Sequence, residues 1–190
     1  MRIHDRLAPA LCVAVLATPS LAEDWSGLLL DRTLSLPVPE SFAAEPVFSD
    51  ASSGSAIVEF VPQGETELGW TQMLTLTAYD DGSDAPGEQM AMGMATNLAQ
   101  GYANVCPASF SVQDMGTPAV AGAEASFAGW LSCGSNGAGQ YESMLVLVVA
   151  KEGTVYTVQW AEHGAESATP LPYDAAVWQP RLDALLGLKL

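Results

Sequence analysis

The chain has 190 residues, of which 49% are hydrophobic and 15% charged, and 22 acidic against 6 basic side chains give it a net charge of -16. This composition is typical of a globular protein and is too apolar for a disordered one. Because nucleic acids and anionic membrane surfaces attract Lys and Arg, the charge argues against both as partners. Three cysteines are too few for a disulfide scaffold or a cysteine-rich zinc site, and no apolar run has membrane-spanning length.

Residues 1–22 have the pattern of a secretory signal peptide. Arg2 and Arg6 form a positively charged start, an apolar stretch of about a dozen residues follows, and small residues lead to a cleavage position after Ala22. Two prolines in this segment argue against a buried N-terminal helix. We therefore expect export to the periplasm or secretion, with residues 23–190 forming one mature domain that has no membrane span.

The two cysteines that remain after cleavage, Cys106 and Cys133, are expected to form a structural disulfide. An exported protein folds in an oxidising compartment, where cysteine pairs become bridged. On the chain-entropy model, such a bridge stabilises the fold by about 3–4 kcal/mol. The alternative is a redox-active pair, but such pairs usually have CxxC spacing at a helix N-terminus, whereas Cys106 follows a predicted helix.

Three strand candidates occupy the first part of the mature chain. Alternation of apolar with polar or proline positions predicts strands at Thr33–Val38, Ala56–Val61 and Trp70–Tyr79, the last of them with threonines between its apolar residues. Residues 23–31 are a short lead-in to the first of these strands.

An amphipathic helix is predicted after these strands. Apolar residues recur at helical spacing from Ala91 to Tyr102, which gives the helix one apolar stripe. Ser83 or Asp84 is placed to cap its N-terminus, and the helix should end near Cys106.

The second half of the chain is predicted to be mostly strand. Strand candidates are Ser109–Met115, Ala123–Cys133, Glu142–Lys151 and Thr154–Glu162, and a last helix spans Tyr173–Gly187 with a kink or restart at Pro180. The run MLVLVV indicates a central strand covered on both faces, and a Glu-Gly turn joins it to the next strand. The order β-β-β-α-β-β-β-β-α predicts an α+β fold, with a mostly antiparallel sheet of about six to seven strands and two packed helices.

Recognisable catalytic motifs are absent from the sequence. It contains no nucleophile elbow, zinc-protease helix, phosphate-binding loop or dinucleotide-binding loop. His163, the single histidine of the mature chain, falls in a loop rich in Gly, Ala and Glu and has no identifiable triad partner. We therefore expect no catalytic residue and no cofactor. An enzyme based on carboxylates such as Glu59 or Asp80 is the remaining catalytic alternative.

The acidic segment from Asp80 to Asp84 offers the oxygen ligands that calcium prefers. It departs from the EF-hand pattern because its sixth position is Ala85 instead of glycine. A solvated loop, whose carboxylates favour the positive end of the following helix, explains the same residues. Both interpretations stay open.

A second candidate metal site is the run Met90, Met92 and Met94. Thioether sulfur is a soft ligand that suits Cu(I), and exported copper proteins use such runs. On a helix, however, successive residues turn by about 100°, so that Met92 should point away from the other two methionines. Flexible core packing is the alternative role for these side chains.

Residues 60–76, FVPQGETELGWTQMLTL, resemble a recurring segment of small exported bacterial proteins of uncharacterised function. The likeness continues through the helix, the Cys-Pro pair, the second cysteine and the terminal hairpin, and so covers roughly residues 55–162. It implies no catalytic residues. The element order is also similar to the PsbP/Mog1-like sandwich, whose members are mostly accessory or binding proteins, which implies that architecture for this chain.

Together these features predict an exported, non-enzymatic binding or accessory protein of the bacterial cell envelope, with an unknown protein or small molecule as its ligand. The alternative is a periplasmic copper-handling protein that uses the methionine run.

Overall fold

The computed structural model describes residues 21–80 and 82–190. Within them a seven-stranded antiparallel sheet has the strand order β3-β4-β5-β9-β8-β7-β6, and β1 and β2 form a separate two-stranded ribbon. The elements are β1 (Leu21–Leu29), β2 (Arg32–Pro39), β3 (Phe48–Ser52), β4 (Ser55–Phe60), β5 (Gln72–Asp80), α1 (Gly87–Val105), β6 (Phe110–Asp114), β7 (Ala125–Cys133), β8 (Gln140–Lys151), β9 (Thr154–Ala165) and α2 (Ala175–Leu185). The predicted α+β class is confirmed.

Two strands differ from the expectation. Residues 23–29 of the lead-in belong to β1, which pairs with β2 through partners such as Trp25 with Leu36, and residues 30–31 form the turn between the two strands. Strand β3 was not predicted, because its sequence FSDAS is exposed throughout and shows no apolar alternation. Strand β1 begins at Leu21, and residues 1–20 of the expected signal peptide lie outside the described residues.

Strand β8 is an interior strand between β9 and β7, and its apolar run is buried on both faces as predicted. Leu145 and Leu147 belong to the apolar cluster beneath α2 and the β1–β2 ribbon. Met144 and Val146 belong to the cluster beneath α1, together with Ala91 of that helix. The sheet is therefore covered by α2 and the ribbon on one side, called the α2 side, and by α1 on the other, called the α1 side.

The helix ends correct one expectation and refine another. Helix α1 has Pro86 as its N-cap and no side-chain cap, whereas the predicted cap Ser83 accepts a hydrogen bond from the Ala85 amide in the preceding loop. Helix α2 is a single helix that contains Pro180 and is capped by Asp174. Within the described part of the chain, neither helix is both long and apolar enough to cross a lipid bilayer.

Candidate functional site

Helix α1 covers only part of its side of the sheet. It packs mainly on β7 and β8 and more sparsely on β6 and β9. Side chains of β3, β4 and β5 also point to this side, and seven of them are called the open face: Phe48, Asp50, Ile57, Glu59, Thr75, Thr77 and Tyr79. Phe48 and Tyr79 keep 40% and 47% of their surface exposed. The open face is therefore a sheet surface whose apolar side chains contact solvent.

A groove runs between α1 and the open face. One cavity of about 260 Å³ lies between Met90 and Met94 of the helix and Tyr79 of β5. A second cavity of about 290 Å³ continues over Ile57 and Thr77, and Met94 and Tyr79 line both. These two adjoining cavities are called the α1 groove. Its walls combine apolar side chains with amides and hydroxyls, as ligand and peptide sites usually do.

The three methionines of the predicted copper site do not share one cavity. Met90 and Met94 line the α1 groove, whereas Met92 lies two positions along the same helix and is 42% exposed. The segment is helical, so the expected divergence of Met92 is found. The copper hypothesis would rest on Met90 and Met94 alone, and it stays a prediction.

The two carboxylates of the enzymatic alternative are not brought together. Glu59 pairs with Thr75 in the β4–β5 register and lies on the open face, whereas Asp80 has the opposite parity on β5 and points to the α2 side. Asp80 accepts a hydrogen bond from the Gly82 amide in its own loop. Among residues 21–80 and 82–190, no group of three or more His, Cys, Asp or Glu side chains is arranged to hold a metal ion.

The pKa of Glu59 lies above its ordinary value. Partial burial, which disfavours the ionised carboxylate, is the larger cause, and the negative charge of Glu67 is the smaller. The open face thus holds a half-buried carboxylate beside a like charge. Such an arrangement costs stability in the free protein and would be relieved by a cation.

A cluster of polar side chains lies at the C-terminal end of α1. Glu142 accepts a hydrogen bond from the Tyr102 hydroxyl, and its other carboxylate oxygen lies 2.9 Å from His163 Nε2. The His163 ring stacks on Trp70, with 3.6 Å between ring centroids. Burial and the neighbouring Glu142 charge raise the pKa of Tyr102 well above its usual value. Tyr102 therefore stays protonated and donates its hydrogen bond at neutral pH.

The position of His163 corrects the sequence analysis. The residue lies in β9, instead of in a loop, and Glu142 is its cross-strand neighbour in β8. Sequence spacing of 21 residues gave no hint of this pair, because it depends on the register of the hairpin. Both carboxylate oxygens of Glu142 are engaged, by a tyrosine and a histidine. The cluster therefore fastens the end of α1 to the sheet.

The predicted disulfide between Cys106 and Cys133 is present and joins the end of α1 to β7. Both cysteines line a small cavity of about 200 Å³ together with Tyr102 and Glu142. Each cysteine keeps only 3% of its surface exposed. Burial of both residues, and the position of Cys106 at the helix C-terminus, favour a structural bridge over an exposed redox pair.

Comparison with known proteins supports the predicted architecture. The chain is similar to the solved structure of the Saccharomyces cerevisiae Ran-binding protein Mog1p, with a TM-score of 0.52 and 10% identity over 90% of this chain and 96% of that one. It is also similar to an E65A mutant of protein Mog1, with a TM-score of 0.50 and 12% identity over 88% and 96%. No protein-family model matches the chain, and a comparison with curated proteins finds no match. The resemblance of residues 60–76 to small exported proteins stays a prediction, whereas the fold of this chain is Mog1-like.

Proposed function

We propose that this chain is an exported, non-enzymatic binding or accessory protein of the bacterial cell envelope, and that the α1 groove is its surface for a polypeptide partner. The observation that carries the proposal is the half-covered sheet. Phe48 and Tyr79 expose apolar surface beside a groove that Met94 lines. Exposed apolar side chains gathered at a groove are typical of interaction sites.

The strand at the edge of the groove supports a polypeptide as the ligand. Strand β3 is an edge strand of the sheet, and all five of its residues, Phe48–Ser52, are exposed. Its outer backbone groups can pair with an extended segment, while the neighbouring groove receives side chains. Mog1p, which has a similar fold, is itself named as a binding protein for another protein, Ran.

Export is supported by two independent features. The first 22 residues follow the signal-peptide pattern, and the mature chain has one buried disulfide between its two cysteines. Disulfides persist in oxidising compartments and are rare in the cytosol. Mass measurement of the chain from the periplasmic fraction should give a protein that begins at residue 23, and full-length chain in the cytosol would contradict export.

Photo-crosslinking tests the binding surface. A photoreactive phenylalanine analogue is placed at Tyr79 in one variant and at Val177 of α2 in a control, because the two residues are 47% and 40% exposed on opposite sides of the sheet. Irradiation of living cells should give a discrete protein adduct at Tyr79 and not at Val177. Equal adducts at both positions, or none at Tyr79, would contradict the proposal.

A further inference from the structure

The lysines and arginines of the described residues all lie on the α2 side or at its margin. Arg32, Arg181 and Lys189 form ion pairs with Glu152, Glu162 and Asp24, respectively. The fourth, Lys151, ends β8, and its amine lies near Gly122. The α1 groove therefore has no lysine or arginine of this chain within its lining.

The margin of the α1 groove carries acidic side chains instead. Asp50 lines one cavity, and Glu59 is on the same face of the sheet with Glu67 close enough to act on its charge. The negative field at the groove is thus not neutralised from within the protein, in contrast to the α2 side.

The floor of the groove suits the long side chains of basic residues. Lys and Arg place apolar stems along apolar surface while their charged ends stay at the wet margin. Tyr79, Met94 and Ile57 provide that surface, and the exposed ring of Tyr79 is also a partner for a cation. An acidic or phosphate-bearing ligand would meet charges of its own sign.

We infer that the occupant of the α1 groove is a basic polypeptide segment that carries lysine or arginine side chains together with apolar ones. This inference rests on the proposed function and names the chemistry of the partner. Asp50, Glu59, Phe48 and Tyr79 all point to the α1 side of the sheet, so the segment must present basic and apolar side chains on the same face. The basic residues would meet Asp50 and Glu59, and the apolar residues would cover Phe48 and Tyr79.

A pair of synthetic peptides tests the inference on the mature protein. One peptide repeats two lysines and two leucines, so that each face of an extended chain carries both residue types, and the other has glutamate in place of each lysine. Binding of each fluorescently labelled peptide is followed by anisotropy. The lysine peptide should bind, with an affinity that falls as salt is raised, and the glutamate peptide should not. Failure of the lysine peptide to bind at low ionic strength would overturn the inference.

Two double variants separate the groove from the overall charge of the protein. Asp50→Asn with Glu59→Gln removes two charges at the groove, and Asp31→Asn with Asp183→Asn removes two exposed charges elsewhere. The groove variant should weaken binding of the lysine peptide about tenfold, which is a loss that two ion pairs can account for. The control variant should change the affinity for this peptide less than about twofold. Equal losses in both variants would show attraction to net charge alone and would overturn the inference.

Crosslinking distinguishes failure of this inference from failure of the proposed function. A Tyr79 adduct that is lost in the Asp50→Asn, Glu59→Gln variant supports both. A Tyr79 adduct that forms equally well in this variant keeps the groove as a binding surface and overturns the basic partner. Absence of a Tyr79 adduct overturns the proposed function itself. Circular dichroism of each variant confirms that the fold is retained.

Discussion

The two sides of the seven-stranded sheet differ in how completely they are covered. On the α2 side, Trp130 and Tyr156 are buried beneath a helix and a two-stranded ribbon. On the α1 side a single helix covers β7 and β8, and Tyr79 and Phe48 stay exposed on β5 and β3. The α2 side therefore holds most of the buried aromatic side chains, whereas the open face leaves apolar side chains in contact with solvent.

The largest contrast should be seen in stability. Trp178→Ala removes a buried ring of α2 that lies 6.1 Å from the ring of Trp130, and it should lower the free energy of unfolding by about 3–5 kcal/mol. Tyr79→Ala on the open face should cost less than about 1 kcal/mol. Urea unfolding of both variants measures the difference. A similar loss in the two variants would mean that the open face is part of the stabilising core.

The disulfide should contribute nearly as much as a buried aromatic ring. Replacing both Cys106 and Cys133 by serine removes a bridge between residues 27 positions apart, and should lower the free energy of unfolding by about 3 kcal/mol. Denaturant titration of the variant, and of the native protein with and without reductant, measures this effect. If neither substitution nor reduction shifts the midpoint, the bridge does not constrain the unfolded chain.

Arg181 shows how charges on the α2 side are neutralised within the protein. Its guanidinium lies over the rings of Trp178 and Trp160, at 4.3 and 5.3 Å from their centroids, and pairs with Glu162 at 2.7 Å. Arg181→Lys keeps the charge but loses the planar group that stacks between the rings, and should cost about 1 kcal/mol. Thermal or urea unfolding measures the loss, with Lys189→Arg as a control at an exposed ion pair. An unchanged midpoint in Arg181→Lys would show that charge alone is required.

The sequence predicted the architecture much better than the candidate site. A continuous apolar run located β8, apolar alternation located its hairpin partner β9, and helical spacing located α1. The open face could not be predicted from the sequence. In β5, Thr75 and Thr77 alternate with leucines, which shows that the strand has a polar and an apolar face but not which face a helix covers. Coverage depends on which strands of the sheet α1 packs against, and this is decided by contacts between residues that are far apart in the sequence.

The polar pairs were equally hidden from the sequence. Glu142 and His163 are neighbours only because the β8–β9 hairpin is in one particular register. Strand β3 could not be identified either, because an exposed edge strand with few apolar residues has no periodic signal. Local patterns therefore identified elements, whereas the contacts that give the α1 groove its shape and charge follow from tertiary structure.

The smallest expected effect concerns the charge at the open face. The pKa of Glu59 is raised in the folded protein, so the folded state holds this proton more tightly than the unfolded chain and stability falls as pH rises through the carboxyl range. Glu59→Gln removes this pH-dependent loss of stability, and should raise the free energy of unfolding at neutral pH by roughly a few tenths of a kcal/mol. The gain is small because solvent screens the charge of a half-exposed group.

The gain should shrink as pH falls, because the native carboxyl then becomes protonated as well. Urea unfolding of the wild type and of Glu59→Gln at a series of pH values measures the difference, with Glu45→Gln as a matched exposed control. A Glu59→Gln variant that is less stable at neutral pH would mean that this carboxylate has a stabilising partner within the protein. Glu59→Gln could instead be more stable and also bind the lysine peptide less well. That result would show that the Glu59 charge serves binding at a cost to stability.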